Sequence, residues 1–312
     1  MKPTPIAGAA FVALCLSTIV AAQHQPQSPF IGRWDMTLTT ASGPRPSWLE
    51  VQLSGTRTLV GRFVGVAGSA RPISKIDAAG DAFSFSIPPQ WERGDKDLHV
   101  DGKVDGNRLS GSLTDPSGTR MTWTAARAPS LNRMGAVEWG DPVELFNGVD
   151  TSGWHAQSGA SQWIVVDHTL TSPKSGANLV SDRTFTDFAV HVEFRYPKGS
   201  NSGVYLRGRY EVQIEDTAGL PPAVDGLGAI FGFLEPSVAV ARKAGEWQSF
   251  DVTLAGRHVT VILNGETIIA NRVIPGITGG AIDSDESAPG PLMLQGDHGP
   301  IEFRKIIVKP AK

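Results

Sequence analysis

The sequence predicts an all-β protein built from two units, and three observations carry the prediction. Apolar residues recur in short alternating runs, turn-forming clusters drawing on 35 glycines and 22 prolines punctuate those runs, and no long stretch shows helical periodicity. With 312 residues, 40% apolar and 19% charged, the chain exceeds one typical domain and has enough apolar surface for a sizeable core.

Residues 1–22 read as a signal peptide. Lys2 gives a positive start, residues 7–20 are apolar but too few to span a bilayer, and Val20-Ala21-Ala22 places small residues ahead of Gln23. The expectation is therefore a secreted or periplasmic protein with no transmembrane segment in the mature chain. Cys15, the single cysteine, lies inside this segment, and the large Leu14 before it argues against a lipid-anchored cysteine. A mature chain without cysteine excludes a disulfide framework, a thiolate metal site and a cysteine nucleophile. Losing Lys2 takes the formal charge from −3 to −4, and no basic stripe is present to neutralise phosphates, so nucleic acid is not an expected partner.

Residues 28–128 form the first expected unit, a small antiparallel barrel or sandwich of seven or eight strands. Its strand-sized pieces are GRWDMTL, WLEVQL, TLVGRFVGV, AFSFSI, LHVDGKV, NRLSGSL and RMTWTA, separated by turns such as Asp105-Gly106-Asn107. The Gly32-Arg33-Trp34 start resembles that of lipocalin-like barrels, a single triplet that leaves a generic β-domain of unknown role as the preferred reading. Residues 129–136, within an aperiodic stretch containing Pro, Gly and Asn, read as a linker. Residues 137–312 return to strands, with a hairpin signal at Leu263-Asn264-Gly265-Glu266 and a short helix expected only near 238–243.

Successive side chains of a strand point to opposite faces, so each run can be divided by parity. In one run Phe188, Val190, Val192 and Phe194 oppose Ala189, His191, Glu193 and Arg195; in the next, Val204 and Leu206 oppose Tyr205 and Arg207. In a third, Tyr210, Val212 and Ile214 oppose Glu211, Gln213 and Glu215. A solvated face is the ordinary explanation of such a polar side. Here, however, it mixes Glu, Arg, Gln and Tyr, whose planar groups suit forked hydrogen bonds to sugar hydroxyls and carbonyls. Downstream, a strand carrying Gln295 runs into Gly296-Asp297-His298-Gly299. A histidine beside a carboxylate can act as acid or base near neutral pH, and the same pair can equally be a turn-stabilising contact.

The segments LFNGVDTSGW (145–154), DFAVHVEFRYPKGSNSGVYLRGRYEVQIED (187–216), GEWQSFDVTLAGRHVTVILNG (245–265) and LQGDHGPIEFRKI (294–306) together resemble the 3-keto-disaccharide hydrolase family over about residues 137–312. The resemblance implies a concanavalin A-like jelly-roll sandwich whose concave sheet binds carbohydrate. It further implies cleavage of glycosides already oxidised to a ketone at carbon 3. The family's polar positions fall on Asn201, Arg207, Glu211, Gln213, Gln295 and His298. One departure is Lys305, where the family usually has asparagine.

A 3-keto sugar can be cleaved by removing the acidified hydrogen on carbon 2, expelling the carbon-1 substituent and adding water, a path needing a base, an enolate stabiliser and an acid. Glu211 and His298 are the unranked candidates for the base. Arg207 is expected to hold the enolate, while Glu193 or Asp297 supplies the acid or orients a partner. Asn201, Tyr205, Gln213 and Gln295 are expected to bind substrate. Arg195 is a further candidate, although Glu193 and Arg195 could equally serve as a structural ion pair, and Trp247 could stack on a sugar or lie in the core. No cofactor is required by this scheme; a divalent metal on His191, Glu193, Glu211 and His298 would be an alternative enolate stabiliser. The rival functions are a non-catalytic lectin and an ordinary endo-glucanase.

Overall fold

The computed structural model describes residues 28–132 and 135–312. The expected signal peptide with Cys15 lies outside the described residues, as do two positions of the expected linker. Among the described residues no helix is long and apolar enough to cross a membrane.

Eight antiparallel strands close into a barrel in chain order. They are β1 (Gly32–Thr40), β2 (Gly43–Ser54), β3 (Thr58–Val64), β4 (Arg71–Ala79), β5 (Ala82–Ile87), β6 (Leu98–Asp105), β7 (Arg108–Thr114) and β8 (Arg120–Arg127). Closure comes from β8 pairing back onto β1, with Leu38 opposite Trp123. The alternating residues Trp34, Met36, Leu38, Phe83, Phe85 and Trp123 fill the interior, which is why the sequence periodicity was visible. The strand that periodicity did not reveal is β4, where Pro72 stands near the start and Ser74, Lys75 and Asp77 are exposed.

The rest of the chain is a two-sheet jelly-roll sandwich. Its strands are β9 (Val143–Glu144), β10 (Trp154–Ala156), β11 (Ile164–Val166), β12 (Thr169–Ser172), β13 (Leu179–Phe185), β14 (Phe188–Arg195) and β15 (Asn201–Leu206), followed by β16 (Tyr210–Glu215), β17 (Gln248–Ala255), β18 (His258–Leu263), β19 (Glu266–Val273), β20 (Gly290–Leu294) and β21 (Ile301–Pro310). One sheet has the order β10-β13-β20-β15-β16; the other runs β11-β12-β21-β14-β17-β18-β19, with β9 added on β21. Between them lies one core, in which Phe188, Val190, Val192 and Phe194 of β14 belong to the same cluster as Val204, Leu206, Val212 and Ile214 of β15 and β16. The β18–β19 turn is the Asn264-Gly265 hairpin expected from sequence, with φ of 54° and 87° at its two central residues.

Residues 238–243 are not helical. Their backbone is held by side chains instead: Arg242 N donates to Gln248 Oε1 at 2.9 Å, and Asn264 Nδ2 donates to the Val240 carbonyl at 2.9 Å. These side-chain partners replace the local backbone bonds a helix would need.

Barrel and sandwich are packed closely. Trp48 and Val64 of the barrel belong to the sandwich core, and Phe233 meets Trp48 edge-on at 5.4 Å. Glycines let backbones approach at this junction: a Cβ on Gly279 would lie 2.2 Å from the Gly68 carbonyl, and one on Gly276 would lie 2.1 Å from the Trp48 ring. The barrel is therefore held against the side of the sandwich that carries the polar face described next.

Candidate active site

The polar faces of β15 and β16 coincide because the two strands pair in register: Tyr205 lies opposite Glu211, Gly203 opposite Gln213, and Asn201 opposite Glu215. Gly203 makes room for the acid, since a Cβ there would stand 2.3 Å from Glu211 Oε1. On the other side of β15, β20 delivers Gln295, whose backbone N–H donates to the Gly203 carbonyl at 2.9 Å. Gly296 and Gly299 then allow close approach: added Cβ atoms would stand 2.4 Å from the Ala177 carbonyl and 2.5 Å from Ser200 Oγ.

Asn201, Tyr205, Glu211, Gln213, Gln295, Asp297 and His298 thereby line one cavity of about 440 Å³. Ligand pockets commonly span about 300–1,000 Å³, so one or two rings fit. Gln295 is 7% exposed, and its Oε1 has no hydrogen-bond partner among the described residues. A buried acceptor without a partner is uncommon, and a ligand hydroxyl would satisfy it.

Glu211 is 2% exposed. Burial pushes its carboxyl up to about 8, only partly opposed by the Tyr205 hydroxyl and the charge of His298. The Tyr205 oxygen lies 2.8 Å from Glu211 Oε2 and 2.9 Å from the Gly279 carbonyl, two acceptors for one hydroxyl proton. A neutral Glu211 resolves this, because its own proton can go to the tyrosine oxygen while the tyrosine donates to Gly279. With the Gln213 amide nitrogen turned towards Glu211, Gln213 donates to Glu211 Oε1 at 3.1 Å and to the Ser202 carbonyl at 3.2 Å. His298 is half-exposed, with Nδ1 2.6 Å from Asp297 Oδ1. That hydrogen bond raises the imidazole above its ordinary 6.5, against the opposing effect of burial. It also assigns the ring proton to Nδ1 and leaves Nε2 as the acceptor.

Four expected site residues lie elsewhere. Glu193 and Arg195 sit on β14, which belongs to the other sheet, and their side chains point away from the core on its outer face. Glu193 pairs there with Arg304 and Arg195 with Glu302, so they are ion-paired, though not to each other. Trp247 is on that same surface, with the Arg195 and Arg304 guanidiniums 4.8 and 4.4 Å from its ring. The expectation that three adjoining strands share one polar face fails here because the 196–200 connection crosses from one sheet to the other. Glu193→Gln is accordingly expected to leave kcat/KM within about twofold and to cost at most about 1 kcal/mol of stability, as steady-state assays and thermal unfolding would show.

Arg207 is also displaced. It follows β15 in a turn with φ of 53°, which breaks the alternation. The side chain is buried away from the cavity, Nη2 donating to the Tyr210 hydroxyl at 3.1 Å and to the Gly256 carbonyl at 3.0 Å. The metal alternative loses its donor set for a related reason: His191 and Glu193 face outward on one sheet, whereas Glu211 and His298 line the cavity on the other. Among the described residues no group of three or more His, Cys, Asp or Glu side chains is placed to hold a metal ion.

Sequence reasoning missed the rest of the lining: Asn178, Asp225, Phe231, the Gly279-Gly280 pair and, from the barrel, residues 67–69 with Gln90 and Trp91. The Gly-Gly pair was the available signal, since a Cβ on Gly280 would lie 2.5 Å from the Tyr205 hydroxyl.

One cavity of a jelly-roll sandwich thus brings together side-chain amides, an unpartnered buried acceptor, a buried carboxyl and a histidine. Residues 141–309 match the family described as the 3-keto-alpha-glucoside-1,2-lyase-like domain, and the chain belongs to that family of carbohydrate-acting enzymes. Similar solved structures include two candidate glycosyl hydrolases from Parabacteroides distasonis. One is 29% identical, covering 57% of this chain and 92% of that one at a TM-score of 0.48; the other is 18% identical, covering 55% and 94% at 0.47. The carbohydrate-binding module CBM66 from Bacillus subtilis is 12% identical, covering 50% and 95% at 0.38. The comparison with curated proteins gives no match.

Proposed function

We propose that the protein cleaves 3-keto-glycosides, by elimination across carbons 1 and 2 followed by hydration, and that it does so outside the cytoplasm after loss of residues 1–22. The observation that carries the reading is the pairing, within one cavity, of a carboxyl poised to stay neutral with a carboxylate-oriented histidine. In this scheme His298 Nε2 takes the hydrogen from carbon 2, and the electron pair forms the enolate between carbons 2 and 3. The carbon 1–oxygen bond then breaks, and the imidazolium returns its proton to the departing oxygen. As charge develops on the carbon-3 oxygen, neutral Glu211 redirects its single proton from the Tyr205 oxygen to it, while Tyr205 goes on donating to the Gly279 carbonyl; this is the role otherwise expected of Arg207. Water adds to carbon 1 and a proton to carbon 2, so the net products are the 3-keto sugar and the alcohol. Asp297 holds the imidazole, and Asn201, Gln213 and Gln295 bind hydroxyls.

A paired-carboxylate glucanase is disfavoured by spacing. Glu211 and Glu215 share a face four residues apart, roughly 13 Å along a strand, beyond the about 5–10 Å such enzymes use. Incubating the protein with a 3-keto-glucoside and its unoxidised parent tests the reading. Release from the keto compound alone supports it, release from the parent supports the glucanase, and binding without release supports a lectin.

A further inference from the structure

We infer that the barrel is the aglycone-binding half of the enzyme and that the substrate carries an apolar, aromatic aglycone rather than a second sugar; this rests on the 3-keto-glycoside reading above. A second cavity, of about 250 Å³, opens in the barrel mouth; Leu38, Phe63, Val66, Leu98, Leu113 and Met121 give it an apolar wall, and Thr40, Ser42, Arg45, Glu92 and Asp115 also line it. It adjoins the sugar cavity. Trp91 lines both, and the same loop supplies Gly65 and Val66 to one side and Ala67, Gly68 and Ser69 to the other.

The shared wall is built, not incidental. Trp91 is 49% exposed, yet its Nε1 donates to the Ala67 carbonyl at 2.9 Å. The backbone N–H groups of Gln90 and Trp91 both donate to Glu92 Oε2, and Glu92 is held by Arg71 at 2.8 Å in a buried ion pair. Gly68 lets the loop pass the indole, since a Cβ there would stand 2.6 Å from Trp91 Cδ1. The loop is in turn tied to the sandwich by Gly280 N donating to the Val66 carbonyl at 3.2 Å. An exposed, immobilised tryptophan at the junction of a polar and an apolar cavity is a platform for a ring leaving one and entering the other.

The lining selects the class of aglycone. Of its carboxylates, Glu92 is already held by Arg71 and Asp115 accepts from Ser117 and Thr119, so most hydroxyls of a second hexose would meet Leu, Phe, Val and Met side chains that cannot bond them. A cavity of about 150 Å³ accepts benzene, so this one has room for an aryl group of about two rings.

The test compares kcat/KM for methyl, phenyl and 2-naphthyl 3-keto-glucosides. Wild type should favour naphthyl over methyl by at least about tenfold, chiefly through KM. Both Met121→Trp, which fills the mouth, and Trp91→Ala, which removes the platform, should shrink that ratio to about threefold or less. Equal kcat/KM for all three aglycones, or a ratio untouched in both folded variants, overturns the inference while leaving the 3-keto reading intact. If no keto-glucoside is cleaved, that reading has failed. The barrel site is then judged by titration with N-phenyl-1-naphthylamine: saturable fluorescence lost in Met121→Trp upholds an aromatic site, and its absence in wild type refutes one.

Discussion

Glu211→Gln should lower kcat at least about 100-fold and, at the same time, make the protein more stable at pH 8. The amide is nearly isosteric and still reaches Tyr205, but it cannot present an acidic proton to a developing enolate. The stability gain follows from the sign of the shift. The carboxyl has a pKa of about 8 in the fold and 4.5 unfolded, so the fold retains a proton that the unfolded chain releases. The stability from that proton is fully present below pH 4.5 and is lost as pH rises to about 8, a cost on the order of 4–5 kcal/mol at full burial. The Tm difference between variant and wild type should therefore open above pH 5 and level off above pH 8, as thermal scans across pH would show. A variant that is inactive and equally stable at every pH would mean Glu211 is an ordinary carboxylate.

His298→Ala should cost about 10²–10⁴-fold in kcat, the usual worth of a general base. In wild type, kcat/KM should form a bell. The rising limb lies above the ordinary imidazole range, because Asp297 favours the protonated ring that cannot act as a base; the falling limb lies near pH 8, where Glu211 loses its proton. Because the two groups interact, the limbs belong to the pair. Asp297→Asn should move the rising limb to lower pH while reducing kcat, an effect a merely structural contact would not produce. A flat profile between pH 6 and 9 would remove both assignments.

Much of the fold was legible because alternation is a local property of a strand. Tyr210, Val212 and Ile214 against Glu211 and Gln213 could be sorted by parity alone, and so could the barrel interior around Trp34, Met36 and Leu38. Parity says which side of a strand a residue takes, but not which sheet the strand joins. That is why Glu193 and Arg195, read with the same rule, proved to lie on the far sheet. Arg207 was lost to a single positive φ, which ends the alternation at the turn where it sits. The Asp297-His298 pair was found because its chemistry is compact in sequence. The wall supplied by Gln90 and Trp91 was not, since two loops more than 100 residues from Glu211 reach it only through glycine-mediated contact between barrel and sandwich.

The most direct measurement of the central claim is the isotopic content at carbon 2 of the sugar released in deuterated water, sampled at early turnover against a protein-free control. Elimination and hydration through His298 predict one solvent deuteron at that carbon in each product molecule. Release of a sugar that keeps its original hydrogen would show that the bond to carbon 1 breaks directly, and would contradict the mechanism derived from this cavity.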